Sequence, residues 1–172
     1  MIGQVLPIVS RFILLLLVQG LLLINVNIFG GFGHVNLYVL VILLLPIKSP
    51  RLLDMVIAFA LGLGVDMFYN SPGLHASALV FTAFVRPLVI RILTPRDDYD
   101  FTDRPVISSL GWLWYVRYAG SVLLLHSLWL YLLEAFDISL LGKSVLTALT
   151  SSMLTLVTIV ILDYLFTPKV KL

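Results

Sequence analysis

Apolar residues in this chain come in long unbroken runs rather than in alternation. Six runs stand out, at about 12–29, 35–47, 52–69, 74–93, 110–133 and 144–166. A bilayer core of about 30 Å is crossed by about 20 helical residues. Backbone groups in lipid must be satisfied internally, which leaves helices or a closed barrel. Near-continuous apolarity without a two-residue period excludes the barrel. The pattern therefore predicts an all-α integral membrane protein, a compact bundle of six transmembrane helices with the second one short. Thirteen residues in the second run cover only about 20 Å as a helix. It is kept as a short span because a failure to cross would reverse the sides of Lys48 and Arg51.

The basic residues set the orientation. Arg11, Lys48, Arg51, Arg91, Arg96, Arg104, Lys169 and Lys171 fall on one side, eight of the eleven Lys and Arg. The opposite side has Lys143, beside Glu134 and Asp137, whereas Arg86 and Arg117 lie inside runs. Both termini are thus expected inside, with residues 94–109 as the longest cytoplasmic loop. Residues 1–172 read as one polytopic domain, and the first 30 as an uncleaved span.

Composition narrows the picture. Hydrophobic residues make up 60% and charged residues 12%, and mean hydropathy is +1.09. Soluble domains have about 25% charged residues, so an ordinary soluble protein is excluded. There are no cysteines, which removes disulfides, thiolate metal sites and cysteine nucleophiles. His34, His75 and His126 open no H-E-x-x-H motif, and there is neither a G-x-S-x-G elbow nor a phosphate-binding loop. No enzyme activity, cofactor or metal is expected, and no basic stripe suits nucleic acid.

Charges within spans are functional candidates or structural pairs. Runs three and four are joined by Asn70-Ser71-Pro72-Gly73, a tight turn that makes an antiparallel hairpin. Matching depths across it places Asp66 near Ser77, one turn from His75, and Asp54 level with Val89 between Arg86 and Arg91. Each carboxylate thus gains a partner, either to fix the hairpin or to serve a ligand or proton. Pro87 frees the Ala83 carbonyl, an opening that the Arg86 guanidinium fills or snorkels away from. Arg117 is expected to pair with Asp163. Thr147, Ser151, Thr155 and Thr158 share one helix face, and His126 counts to the depth of Ser151. They form interhelical hydrogen bonds or a polar pocket. Ala58-x-x-x-Gly62 and Ala60-x-x-x-Gly64 give the third helix a small face for close helix approach. Trp112, Trp114, Tyr115 and Tyr118 read as an interfacial aromatic belt. Asp97, Asp98, Asp100 and Asp103 form an acidic segment, read as a solvated loop or a cytoplasmic docking segment ahead of a metal site.

The stretch Gly62-Leu63-Gly64-Val65-Asp66-Met67-Phe68-Tyr69-Asn70-Ser71-Pro72-Gly73-Leu74-His75-Ala76 resembles the signature of the rod shape-determining protein MreD family. In that family a Gly-x-x-x-Asp helix end precedes a Pro/Gly turn and a Gly-x-His-Ala helix start. Residues 80–93, with Phe84-Val85-Arg86-Pro87, fit the same pattern, so specific likeness covers about 40 residues. The resemblance implies a fold similar to the S component of energy-coupling-factor transporters. It implies a non-enzymatic scaffold of the cell-wall elongation machinery in the bacterial inner membrane. The expected partners are an MreC-like bitopic protein and, through it, MreB, RodA and a class-B penicillin-binding transpeptidase. Asp66, His75, Gly62, Pro72 and Gly73 would build the hairpin behind the partner-binding surface, with the small face of the third helix as the seat. The alternative is a small-molecule-binding S component of a vitamin transporter, although the first span has only Gly20 where S components carry small-residue docking pairs.

Overall fold

The computed structural model describes residues 2–26, 28–94, 105–136 and 138–166. Helices form where the apolar runs lie and stop where the sequence supplies breakers. The first, α1 (Ile2–Leu17), continues as a π-helical turn over Val18–Leu23. A loop follows, closed by paired backbone hydrogen bonds of 3.0 Å between Ile28 and Gly33. After it come α2 (Val39–Leu43), α3 (Arg51–Tyr69), α4 (Leu74–Ile92), α5 (Ile107–Leu110), α6 (Trp112–Ala135) and α7 (Leu141–Phe166). Pro50 sits at the start of α3 in an extended conformation, and Asn70 ends that helix in the left-handed region. Gly73 takes φ 83° to start α4, a conformation open to glycine at no steric cost.

Helices α3, α4, α6 and α7 pack in sequence, α3 on α4, α4 on α6 and α6 on α7, and α1 lies against α2 and α3. Four helices are long and apolar enough to cross a membrane: Arg51–Tyr69, Leu74–Ile92, Trp112–Ala135 and Leu141–Tyr164. A shorter apolar helical stretch covers Val9–Leu23. Their outward faces are apolar: Val145, Leu149, Met153, Val157 and Ile161 recur every four residues along α7, all exposed, and Leu52, Val56, Phe59, Leu63 and Met67 recur every three or four on α3, also exposed. Exposed stripes of that length are unusual on soluble proteins and suit lipid as the solvent. The described chain is all-α, consistent with a multi-pass membrane protein.

The second run departs from expectation. Its only helix is the five-residue turn Val39–Leu43. The rest of residues 33–46 is irregular backbone, threaded through the middle of the bundle. Tyr38, Val39, Ile42 and Leu43 are fully buried. A 13-residue helix is too short for the bundle's height, and a less compact chain rises further per residue. That gain leaves backbone N–H and C=O groups without helical partners, so the segment is tolerated only inside protein. The first helix also ends earlier than the apolar run, because Gln19 turns inward within the π-helical turn.

The small face of α3 is partly occupied: Ala58 and Gly62 are buried, whereas Ala60 is exposed. A Cβ at Gly62 would collide with the Ala76 backbone, lying 2.7 Å from its nitrogen, whereas one at Gly64 meets only the Leu16 side chain at 3.0 Å. Gly62→Ala should therefore lower thermal stability in detergent by about 1–3 kcal/mol, the usual effect of overpacking. Gly64→Ala, facing a side chain that can move, should lower it by less; equal losses would contradict this packing.

Candidate functional site

Two buried carboxylates, one at each end of the α3–α4 hairpin, organise the polar interior. Asp66 leaves the last turn of α3 and points at the start of α4. Its Oδ1 accepts from the Ser71 hydroxyl (3.1 Å), the His75 backbone N–H (2.9 Å) and His75 Nδ1 (2.9 Å). Its Oδ2 accepts from the backbone N–H groups of Gly73 (3.0 Å) and Ala76 (3.1 Å). Helix starts leave such donors unsatisfied, and the residue at the cap of α4, Gly73, has no side chain to serve them. Asp66 caps that helix from the preceding one and places negative charge at the positive end of its dipole. Gly62, one turn before Asp66, lets the α4 backbone come close enough. Pro72 is exposed in the turn.

At the other end, Arg86 is fully buried. Its Nη1 lies 3.3 Å from Asp54 Oδ2, and its Nε donates to the Tyr118 hydroxyl at 2.7 Å. Nη2 donates to the Leu45 carbonyl, and both Nη atoms reach the Pro46 carbonyl at 3.3 Å. The Tyr118 hydroxyl in turn donates to the Leu43 carbonyl at 3.0 Å. Arg86 therefore neither fills the opening at Pro87 nor snorkels. It closes the C-terminal end of α2 with a planar fork of donors suited to several acceptors. The Ser49 hydroxyl donates to Asp54 Oδ2 at 2.6 Å. Arg91, expected beside Asp54, is exposed.

Between the two ends runs a polar column. The Tyr38 hydroxyl and His126 Nε2 are 3.0 Å apart, His126 Nδ1 and Thr82 Oγ1 are 2.9 Å apart, and the Thr82 hydroxyl donates to the Ala78 carbonyl at 2.6 Å. Thr82 has given its proton to Ala78, so it accepts from His126 Nδ1–H, and Nε2 accepts from Tyr38. All three side chains are fully buried. The face of α7 serves the irregular segment: Ser151 accepts from the His34 N–H and Thr155 from the Asn36 N–H, each at 3.0 Å, and Thr150 donates to the Phe32 carbonyl. Gln19 adds the Leu37 N–H at 2.9 Å. Thr147 is buried on the same face, whereas the Thr158 hydroxyl bonds the Leu154 carbonyl. His126 and Ser151 thus serve different partners rather than each other.

Other candidates are dispersed. Arg117 is exposed, and Asp163 is half-buried at the edge of an apolar groove that also contains Arg11. The Asp54–Arg86 ion pair and the Asp66–His75 hydrogen bond do not include Arg117. Trp112 is exposed but Tyr115 and Tyr118 are fully buried, so the aromatic belt divides between surface and core. Asp97, Asp98, Asp100 and Asp103, with the rest of residues 95–104, lie outside the described residues. Among those described, no cluster of three His, Asp or Glu is placed to hold a metal. Sequence reasoning missed Gln19, Asn36 and Tyr38, and it placed Tyr118 in the interfacial belt rather than beside Arg86. The two amides were legible within or beside apolar runs, but Tyr38 resembles an ordinary core residue.

Removing one member of a buried ion pair strands the other, at about 3–5 kcal/mol. Arg86→Met and Asp54→Asn should each destabilise the protein, Arg86→Met the more because Leu45 and Pro46 also lose donors. The double variant should lose less than the sum in thermal unfolding. Asp66→Asn replaces an acceptor by a donor facing N–H groups and should cost about 3 kcal/mol, with the Tm of the purified protein as readout. No known protein family, curated protein or solved structure matches the chain, so the significance of these residues rests on their own geometry.

Proposed function

We propose that the protein is a non-enzymatic scaffold of the cell-wall elongation machinery in the bacterial inner membrane. It would hold an MreC-like bitopic partner and, through it, link peptidoglycan synthesis by RodA and a class-B penicillin-binding transpeptidase to MreB. One observation carries this reading. The residues on which the MreD resemblance rests, Gly62, Asp66, Ser71, Gly73, His75 and Ala76, converge in a single hydrogen-bonded lock. Such a motif preserves the shape of a hairpin, which is what a docking body needs. On the small face of α3, Gly62 is covered by α4 and Gly64 meets Leu16, which leaves Ala60 exposed for a partner helix.

In this reading the chain crosses six times with both termini inside, and residues 33–46 make the second crossing without a full helix. The arrangement is then similar to an S component. The transporter alternative calls for a small molecule in the polar zone near His126 and Ser151, where the Tyr38 ring lies 5.5 Å from the His126 ring.

The absence of cysteine makes single-cysteine labelling clean. Cysteines at Gly30 and Ser49 should react with impermeant reagents from opposite sides of the membrane; labelling from one side would rule out the second crossing. Affinity purification of the tagged protein in mild detergent should recover an MreC-like protein and wall-synthesis enzymes. Recovery of a transmembrane coupling protein with ATPases, or of a stoichiometric vitamin, would overturn the scaffold in favour of the transporter. Asp66→Ala should reduce partner recovery or protein level, and no change in either would defeat the role given to Asp66.

A further inference from the structure

Beside the hairpin lock, the turn end of the bundle contains a cavity of about 270 Å³. It is bounded by the loop after the first helix, the α3–α4 turn and the C-terminal end of α6. Its polar groups are Asn36, Tyr69, His75, Tyr131 and Glu134, with His34 at the side and Ser71, whose hydroxyl already donates to Asp66. Asn36 is 4% exposed, and its Nδ2 is buried without a hydrogen-bond partner. The amide approaches the Tyr131 hydroxyl, outside hydrogen-bonding geometry. A buried donor without an acceptor is destabilising, whereas the backbone N–H of the same residue donates to Thr155. A donor left open beside a cavity marks a position for an acceptor atom from outside the chain.

The remaining chemistry narrows what that atom belongs to. The Tyr69 hydroxyl accepts from Gln19 Nε2 at 2.8 Å, which leaves its own proton to donate. His75 Nδ1 is engaged by Asp66, which leaves Nε2 as an acceptor. Glu134 is exposed and supplies a carboxylate. Ring pairs form the walls, Tyr69 with His75 at 4.8 Å between centroids and His34 with Tyr131 at 6.0 Å. No Lys or Arg is among the lining residues, and Asp66 lies behind His75. Anions are therefore disfavoured. A purely apolar chain would leave every one of these groups unpaired. A neutral ring with acceptors and donors on its edge and C–H groups on its faces meets all of them. The volume equals about nine waters at ~30 Å³ each, room for one such ring. A second recess of about 250 Å³ shares His34, Tyr131 and Glu134 and extends to Lys143 and Thr147, so a second linked unit has a place.

We infer that this cavity is a binding site for a saccharide, with one sugar ring between the Tyr69–His75 and His34–Tyr131 walls and an oxygen of the ligand on Asn36 Nδ2. The site does not depend on the partner assignment. Loss of sugar binding and loss of partner capture are independent readouts.

The test uses the full-length protein in nanodiscs, titrated with N-acetylglucosamine, its β-1,4-linked disaccharide and glucose, and followed by saturation-transfer NMR and thermal shift. Dialanine and inorganic phosphate serve as the competing chemistries. Saturable binding of a sugar is expected, tighter for the disaccharide. Asn36→Leu should weaken it at least tenfold, because it removes the open Nδ2 donor, with Tm reporting that the variant is folded. Should that variant fail to fold, Tyr131→Phe, which removes a hydroxyl lining the cavity, should likewise weaken sugar binding. Failure of all three sugars to bind saturably, preference for dialanine or phosphate, or unchanged affinity in the folded variant would overturn the inference.

Discussion

The interior of this protein is organised by a single requirement: residues 33–46 pass through the bundle without being a helix, and their backbone groups must find partners away from water. A buried amide without a partner costs about 1–3 kcal/mol, and here the donors and acceptors come from distant helices. Gln19 serves Leu37, Ser151 and Thr155 serve His34 and Asn36, Tyr118 serves Leu43, and Arg86 serves Leu45 and Pro46. Polar side chains that look like scattered intramembrane liabilities are thus the scaffolding of one strand of backbone. This accounts for their fixed positions without invoking a reaction.

The two carboxylates answer different needs. Asp66 supplies acceptors to a helix start whose own cap residue is glycine, and it joins α3 to α4 within one turn of the chain. Asp54 balances a guanidinium that is buried because the carbonyls of Leu45 and Pro46 need it. Buried ion pairs add little net stability but exclude alternative arrangements, because any slip strands a charge. The Asp54–Arg86 pair sets the hairpin's register against the irregular segment, and the Asp66 cap fixes the turn at the other end. A body held this way presents constant outer surfaces, which suits a docking role. It also holds the cavity walls beside the lock, since His75 belongs both to the lock and to the cavity.

How much of this was legible in the sequence differs by element. Long apolar runs, the Asn70–Gly73 breaker and the adjacency of Asp66 to His75 and of Asp54 to Arg86 followed from helix geometry, because residues across a tight antiparallel hairpin share depth by simple counting. The partners of His126, Ser151 and Thr155 did not follow, because they lie on the irregular segment about 90 to 120 positions away in the chain, where no local period links them. Tyr115 and Tyr118 follow the same aromatic pattern as an interfacial belt, and only the approach of α4 and the irregular segment turns them inward. Arg117 was expected to need a buried partner, yet the rotation of α6 leaves it exposed.

The sequence by itself therefore determined the solvent, the helices and the hairpin, since hydrophobic run length and turn chemistry are local properties. Tertiary structure alone decided that the second run is a threaded strand of backbone, that Gly62 is a contact with α4 rather than an open docking face, and that Asn36 is left with an unpaired donor beside a cavity. The physical reason is that hydrogen-bond satisfaction in a bilayer is a property of the whole bundle. A polar residue shows that it needs a partner, but only the packing of the other helices selects which one it meets.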